Sequence, residues 1–310
     1  MSRAYNLIFT LAVTVLYQSM PVKAADGIEL SEVADGIYLY EGVHEQMSVA
    51  NMGAIGNAGI IVGDRAVAVI DSGGSPEFGA IFKEAIARIT DLPIDYLILT
   101  HFHPDHVAGS SAFPLTTHVV AHENHAQAMT QRAQLYLDRF DDLLQGSVQE
   151  IFRLPTTVVA AGQTLEIDLG SRTLIIEAHE LAHTNNDITV HDQQTNTFWA
   201  SDLLFSARTP SLDGSLRGWL DLLSELDERR YDLVVPGHGA PAAWSDLMKP
   251  LNDYLLQLRD HVKDRLDEGM SLSELLAIHD VGHTSSSMWA LYAAQHGSNL
   301  AKAYTEFEWE

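Results

Sequence analysis

Six consecutive residues, His101-Phe102-His103-Pro104-Asp105-His106, combine three imidazoles with a carboxylate directly after a strand-like apolar stretch. In an extended chain the side chains of His101 and His103 point the same way, so both can bind one metal ion. Pro104 favours an extended residue before it and suits the first position of a helix, which places Asp105 and His106 on a helical first turn. The motif can therefore supply ligands to two neighbouring metals.

Three further candidate ligands stand where predicted strands meet loops. His183 lies in a polar turn before a strand, Asp202 follows one strand and His238 follows another. α/β proteins tend to place functional groups at such junctions. The chain has no cysteine, which excludes disulfides, thiolate ligands and cysteine nucleophiles. Any metal must therefore be bound by imidazole and carboxylate.

Strands and helices alternate in two passes along the chain, and this pattern predicts an α/β protein whose sheets are covered by helices. The predicted strands cover 36–40, 58–64, 66–71, 94–100, 117–121, 157–160, 164–167, 172–177, 188–191, 197–201 and 231–235. The predicted helices cover 76–90, 123–144 and 215–228, with a mainly helical stretch at 242–280 and a last amphipathic helix from 285 to 307. With no low-complexity linker or short-period repeat, 25–310 is predicted to be one domain with a C-terminal helical segment at about 242–310.

The chain has 310 residues and a net charge of −24, from 18 basic and 42 acidic side chains. Such a field repels polyanions and opposes binding to nucleic acid or anionic membranes. Residues 1–24 resemble an export signal: Arg3 precedes a short apolar run, and Val22-Lys23-Ala24 suits signal peptidase. The apolar run is shorter than the roughly 20 residues of a membrane helix. We therefore expect a periplasmic or secreted protein with no membrane insertion after signal cleavage.

Taken together, the motifs resemble the metallo-β-lactamase superfamily, in the arrangement of its glyoxalase II-like members, over roughly 30–245. The resemblance implies an αββα sandwich of two similar halves. It also implies two metal ions bridged by Asp202, most simply zinc, with iron or manganese as alternatives. One ion would be bound by His101, His103 and His183, and the other by Asp105, His106 and His238. The resemblance makes Asp71, in 69–74, a strand-end acid that orders the metal loop without being a ligand.

Three other segments are similar to exported zinc metallohydrolases known as quinoprotein relay metallohydrolases, which accompany quinoproteins and sulfur-oxidation systems. The segments are 42–47, 186–190 and 212–220. This narrower resemblance implies a periplasmic redox partner and a small-molecule substrate of unspecified identity.

The expected chemistry is hydrolysis of an ester, thioester, lactone or amide by a metal-bridging hydroxide, with Asp105 as both ligand and proton acceptor. Arg208 and Arg217 flank the loop after Asp202, and either could bind an anionic substrate group. His44 could reach the site from an early loop. His179 is expected to support the ligands or face solvent, and surface positions are expected for His118, His122 and His125.

Other functions remain open on the sequence alone. A β-lactamase fits the export signal, although Asp202 as a bridge points away from it. A single-iron persulfide oxygenase would leave His106 and His238 without a role. The chain could also be a non-catalytic, metal-carrying accessory of a periplasmic redox system. A nuclease is opposed by the charge.

Overall fold

A computed structural model describes residues 27–278 and 289–309. The predicted signal segment, 1–24, lies outside these residues, as do the first residues of the predicted last helix, 285–288. No helix among the described residues has the length and apolar character to cross a membrane.

The first sheet has seven strands, which follow one another in sequence order. They are β1 (Ser31–Ala34), β2 (Ile37–Tyr40), β3 (Ala58–Val62), β4 (Val67–Ile70), β5 (Ile94–Ile98), β6 (His118–His122) and β7 (Thr157–Val159). The pairs from β1 to β4 are antiparallel, and those from β4 to β7 are parallel. Because β4, β5 and β6 run parallel, their carboxyl ends meet at one edge of the sheet.

The second sheet has five strands in the spatial order β12-β11-β10-β9-β8. They are β8 (Thr164–Asp168), β9 (Thr173–Ala178), β10 (Ile188–Asp192), β11 (Thr197–Phe205) and β12 (Leu233–His238). Only β11 and β12 are parallel. Every residue of β11 is buried, which suits a strand covered on both faces.

Eight helices cover or follow the sheets within the described residues. They are α1 (Pro76–Ala87), α2 (Pro104–Val107), α3 (His125–Arg139), α4 (Val148–Ile151), α5 (Leu216–Leu226), α6 (Trp244–Asp267), α7 (Leu272–Ile278) and α8 (Tyr292–Phe307). Helix α1 begins with an N-cap, since the Ser75 hydroxyl accepts a hydrogen bond from the Phe78 amide at 3.1 Å. The amphipathic patterns thus gave the correct element type, while several ends are shifted by a few residues.

Three hydrophobic clusters make up the core. Apolar side chains such as Ile61 from the first sheet and Ile176 from the second fill the space between the sheets. A second cluster lies between the first sheet and helices that include α1 and α3. A third lies between β11, β12 and the helices α5, α6 and α8. The layers are therefore helix, sheet, sheet, helix, which confirms the predicted αββα sandwich and its C-terminal helical region.

Candidate metal centre

The six-residue motif leaves the end of β5 and enters α2. His103 is extended, with φ −64° and ψ 143°, and Pro104 is the first residue of α2. Asp105 and His106 lie on the single turn of this helix and are buried. The conformation predicted from Pro104 is confirmed. It brings the side chains of the motif together at the edge of the sheets where the loops meet.

One group of potential ligands is formed by His101, His103, His183 and Asp202. His103 Nδ1 lies 3.0 Å from His101 Nε2 and 3.2 Å from His183 Nε2. Asp202 Oδ2 is 3.7 Å from His101 Nε2 and 3.4 Å from His183 Nε2. Three imidazole nitrogens and a carboxylate oxygen thus converge, as ligands of one cation do.

The second group is formed by Asp105, His106 and His238. Asp105 Oδ2 lies 3.6 Å from His106 Nε2 and 3.4 Å from His238 Nε2. Asp202 reaches this group as well, with Oδ1 3.2 Å from His106 Nε2 and Oδ2 3.4 Å from His238 Nε2. Asp202 therefore lies between the two groups.

Asp202 owes its position to an irregularity in β11. The sequence predicted that this strand ends at Ser201, but it continues to Phe205. Ser201 is left-handed, with φ 48°, and its register with β12 shifts there. On β12, a Cβ at Gly237 would collide with Asp202 Oδ1, so only glycine leaves room for the carboxylate. The bulge and the glycine together direct Asp202 towards the ligands from the first half of the chain.

Hydrogen bonds on the far side of the rings fix which nitrogen of each histidine faces the site. His106 Nδ1 is 2.8 Å from Asp71 Oδ2, and His238 Nδ1 is 2.7 Å from the Ile55 carbonyl. His103 is oriented the other way round, with Nε2 3.2 Å from Asp213 Oδ2. Because each of these oxygens accepts a hydrogen bond from the ring nitrogen beside it, the opposite nitrogen of each ring is the one that faces the site and can bind a metal.

Burial and mutual charges bias the site's protonation states. Burial lowers the pKa of His101 well below its usual value and that of His183 to about 3. Burial raises the pKa of Asp202, but the neighbouring histidines, His238 and His106 first, outweigh burial and hold it well below its usual value. Neutral His101 and His183 beside an ionised Asp202 are in the state that binds a cation. Burial lowers the pKa of His106, but Asp202, Asp105 and Asp71 outweigh burial and raise it well above its usual value, so a metal at this ring must displace a proton.

The residues fit a pair of divalent cations. His106 Nε2 and Asp202 Oδ1 are buried and lie 3.2 Å apart, but neither atom has a hydrogen bond of acceptable geometry among the described residues. Such orphaned polar atoms are costly unless something binds them. The nitrogen and carboxylate donors suit zinc, and equally iron or manganese. The arrangement indicates a dinuclear metal centre.

A cleft of about 380 Å³ opens above these residues. His103, Asp105, Asp202 and His238 form its floor. The C-terminal helix α8 contributes to one wall, although it follows the last ligand in the sequence by more than fifty residues. A substrate that fills this cleft would therefore contact α8 as well as the metal ligands.

A family model of the metallo-β-lactamase superfamily matches residues 52–238, a range that contains all seven potential ligands. The chain belongs to the metallo-β-lactamase superfamily. The matched range carries both ligand groups, so the dinuclear metal centre belongs to the part of the chain that defines its membership of this superfamily. No curated protein sequence matches the chain.

Among solved structures, an inverting sec-alkylsulfatase from Pseudomonas sp. superposes with a TM-score of 0.67 at 15% identity, covering 90% of this chain and 50% of that one. The present chain thus spans about half the length of the alkylsulfatase. A metallo-β-lactamase from Pontibacter korlensis gives a TM-score of 0.58 at 17% identity, with 74% and 98% covered. One from Hirschia baltica gives 0.57 at 19%, with 74% and 97% covered. At these identities the likeness shows the fold alone.

The residues that the sequence predicted to bind substrate differ in their position relative to the cleft. Arg208 lines the cleft and is buried. Arg217 does not line it: the first turn of α5 carries this side chain to the exposed face, with the guanidinium 5.7 Å from the Phe307 ring. His44 is half-buried beside Gly239 and does not line the cleft, and burial, Arg208 and His238 lower its pKa.

Sequence reasoning missed three residues of the cleft. Asp213 binds His103 and also accepts a hydrogen bond from Arg132 at 3.1 Å. Tyr136 lines the same wall, and its buried hydroxyl has no hydrogen-bond partner among the described residues. Asp213 belongs to the segment 212–220, which was singled out for its family likeness, so a signal existed. Arg132 and Tyr136 lie on an ordinary amphipathic helix and gave none.

The surface positions expected for His122 and His125 are wrong, whereas His118 is exposed as expected. His122 Nε2 lies 3.0 Å from the His179 carbonyl, and His122 Nδ1 accepts a hydrogen bond from the Asn124 amide. His179 is buried, with Nε2 2.8 Å from Thr189 Oγ1. These histidines are buried because the end of β6 packs against the loop that carries His183.

Proposed function

We propose that this protein is an exported dinuclear zinc hydrolase that cleaves an ester, thioester, lactone or amide bond of a small molecule. The observation that carries the proposal is the placement of Asp202. Its two carboxylate oxygens lie 3.2–3.4 Å from imidazole nitrogens of both ligand groups. A carboxylate shared in this way suits two adjacent metals rather than one.

Two divalent cations held by these residues would supply Lewis acidity for the activation of water and of a carbonyl at neutral pH. The chain's own residues would do the rest. Asp105 lies on the cleft floor, where its carboxylate can accept a proton from an attacking water. Asp71 pairs with His106 Nδ1 and leaves Nε2 to face a metal, and Asp213 pairs with His103 Nε2 and leaves Nδ1 to face a metal. Burial of the ligands limits access of bulk water.

The proposed setting rests on the sequence. Residues 1–24 resemble a cleavable export signal, and segments 42–47, 186–190 and 212–220 are similar to quinoprotein relay metallohydrolases. Both support a periplasmic hydrolase that acts beside a redox system. The setting can be tested by N-terminal sequencing of the exported chain, since a chain that retains Arg3 would contradict cleavage after Ala24.

The hydrolase proposal is tested by measuring metal content and hydrolysis together. We expect two zinc ions per chain by mass spectrometry, and turnover of model thioesters, lactones or aryl esters. Asp202→Asn should lower the metal content to one or fewer and kcat by about 10³-fold or more, because the shared charge is lost. Asp221→Asn is the control, since Asp221 is exposed on α5.

Three results would overturn the proposal. One iron and no zinc per chain would favour a mononuclear oxygenase. Nitrocefin turnover that rises with bound zinc and exceeds that of all other substrates would favour a β-lactamase. Two bound metals with no hydrolysis of any substrate class would favour a metal-carrying accessory protein.

A further inference from the structure

Arg208 is a buried cation without an anionic partner among the described residues. Arg208 is only 5% exposed, yet it lines the cleft. Its Nη1 donates only to the backbone carbonyls of Val43 and Glu45, each at 3.3 Å, and no carboxylate of the described residues lies within ion-pair distance. A buried guanidinium is costly to keep charged unless an anion compensates it.

The backbone around Arg208 is held rigidly. Arg208 forms a bridge with Ala290, the Thr209 amide donates to the Ala290 carbonyl at 3.0 Å, and the Ala290 amide donates to the Ala207 carbonyl at 3.0 Å. Two residues after Arg208, the Pro210 carbonyl accepts a hydrogen bond of 2.8 Å from the Asn299 side chain of α8. These bonds hold the backbone of Arg208, and the Val43 and Glu45 carbonyls hold its guanidinium, so less side-chain freedom is lost when a ligand binds.

The two carboxylates whose charges act most on Arg208 already have another role. Asp105 and Asp202 are the carboxylates that favour its charged form, and both belong to the ligand groups. Two divalent cations would more than neutralise these two carboxylates. With the metals bound, Arg208 faces an excess of positive charge on the cleft floor.

The two other arginines of the cleft differ in how they are paired. Arg132 is held by Asp213 in an ion pair of 3.1 Å. Arg139 is exposed at the end of α3, with its guanidinium 5.4 Å from the Phe140 ring. Three of the chain's 18 basic residues thus surround one cleft of a protein whose net charge is −24. Three carboxylates, Asp105, Asp202 and Asp213, line the same cleft and balance these arginines. With two divalent cations bound, the lining would be positive overall and would attract anions that the rest of the surface repels.

We propose, building on the hydrolase function above, that the substrate is a small organic anion whose charged group, separate from the bond that is cleaved, is bound by Arg208. Arg139 attracts this group at the cleft mouth. The reaction itself is ordinary hydrolysis: water adds to the acyl carbon, the bond to the leaving group breaks, and the anionic group is unchanged.

The test compares two aryl esters with the same leaving group: the 4-nitrophenyl monoester of glutaric acid, which is anionic, and 4-nitrophenyl butyrate, which is neutral. We expect the zinc-loaded enzyme to prefer the anionic ester in kcat/KM by at least about tenfold. Arg208→Gln should lower kcat/KM for the anionic ester by about 10- to 100-fold, as expected for lost charge-assisted hydrogen bonds, and change that for the neutral ester less than about threefold.

Arg65→Gln is the matched control, because Arg65 pairs with Asp168 on the surface at the opposite end of β4. Arg139→Gln covers the case in which Arg208→Gln does not fold, since Arg139 is exposed. It should lower kcat/KM for the anionic ester alone, by about 3- to 10-fold. Equal losses for both esters, or no preference in the parent enzyme, would overturn the inference.

Calorimetric titration with glutarate gives a readout that does not depend on turnover. We expect binding to the zinc-loaded protein and about 10-fold weaker binding to Arg208→Gln, with the zinc content of both still at two per chain. If neither ester is hydrolysed but Arg208→Gln weakens glutarate binding, the hydrolase proposal fails and the anion site stands. If hydrolysis occurs and the variant binds glutarate as well as the parent does, the anion site fails alone.

Discussion

Asp71 combines a strained backbone with a full set of hydrogen bonds. It is a non-glycine residue in the left-handed region, with φ 58°, where L-residues are held at a cost of about 1–3 kcal/mol. Its Oδ1 accepts from the Thr100 amide and its Oδ2 from the Thr100 hydroxyl, each at 2.8 Å, and Oδ2 also pairs with His106 Nδ1. The strain places one carboxylate where it can hold both the start of the motif and a ligand ring.

Asp71→Asn should therefore disturb metal binding more than folding. The amide can still accept from the Thr100 backbone, but its NH₂ would face His106 Nδ1, so the imidazole would shift its proton to Nε2 and lose the lone pair that faces the site. We expect affinity for one of the two metals to fall about 10- to 100-fold in a chelator competition titration. Asp168→Asn, an exposed acid of β8, is the control, and unchanged affinity for both metals would show that Asp71 does not orient His106.

At the scale of elements, the sequence predicted what is local. The motif's conformation follows from Pro104, and the two sheets follow from alternating strands and helices. It did not predict the bulge at Ser201, because a bulge depends on the register with β12, and it therefore ended β11 too early. It also missed the pairing of Arg132 with Asp213, which are 81 residues apart and meet only after α3 packs.

Glu306 of helix α8 contacts the start of α5, next to the loop that carries Asp213. Its Oε1 accepts hydrogen bonds from the Ser215 hydroxyl at 2.7 Å and the Arg217 amide at 3.1 Å, and its Oε2 accepts from the Leu216 amide at 2.7 Å. The carboxylate therefore caps the N-terminus of α5, where backbone amides lack partners and the helix dipole favours an anion. The loop that carries Asp213 leads directly into this cap.

Glu306→Gln should weaken this cap of α5. The amide removes the negative charge and turns a donor towards the Leu216 or Arg217 amide, so we expect a loss of about 0.5–2 kcal/mol in the free energy of unfolding from urea titrations. Glu308→Gln is the matched control, because Glu308 is exposed just past the end of α8. If both variants unfold at the same urea concentration as the parent, the cap contributes nothing to stability.

The whole molecule divides the site between its two halves. The first half supplies Asp71 and the motif 101–106, and the second supplies His183, Asp202 and His238. The centre therefore exists only when the two sheets are packed together, so metals that bind the folded chain also stabilise the sandwich. The buried histidines beside the His183 loop make the same packing sensitive to pH.

Burial lowers the pKa of His125 to about 4, with Asn186 offsetting a part of the effect, and burial lowers that of His179 to about 4 as well. In the unfolded chain a histidine titrates near pH 6.5. Between about pH 6.5 and 4 the unfolded state thus binds protons that the folded state does not, so acid favours unfolding. Each of the two histidines contributes stability that is complete above about pH 6.5, and about 3 kcal/mol of it is lost by pH 4.

His125→Phe should remove the contribution of His125 to the pH dependence of stability and leave that of His179. We expect the pH dependence of the free energy of unfolding, measured by urea titration of chelator-treated protein, to become shallower by about 1.2 kcal/mol per pH unit near pH 5. The slope is the readout, because a change in packing shifts stability equally at every pH. Val119→Ala, a cavity-forming change at a buried position of β6, is the control and should lower stability while leaving the slope as it is. A slope that is the same in His125→Phe and the parent would mean that His125 is protonated in the folded protein, and that acid unfolds the chain through other groups.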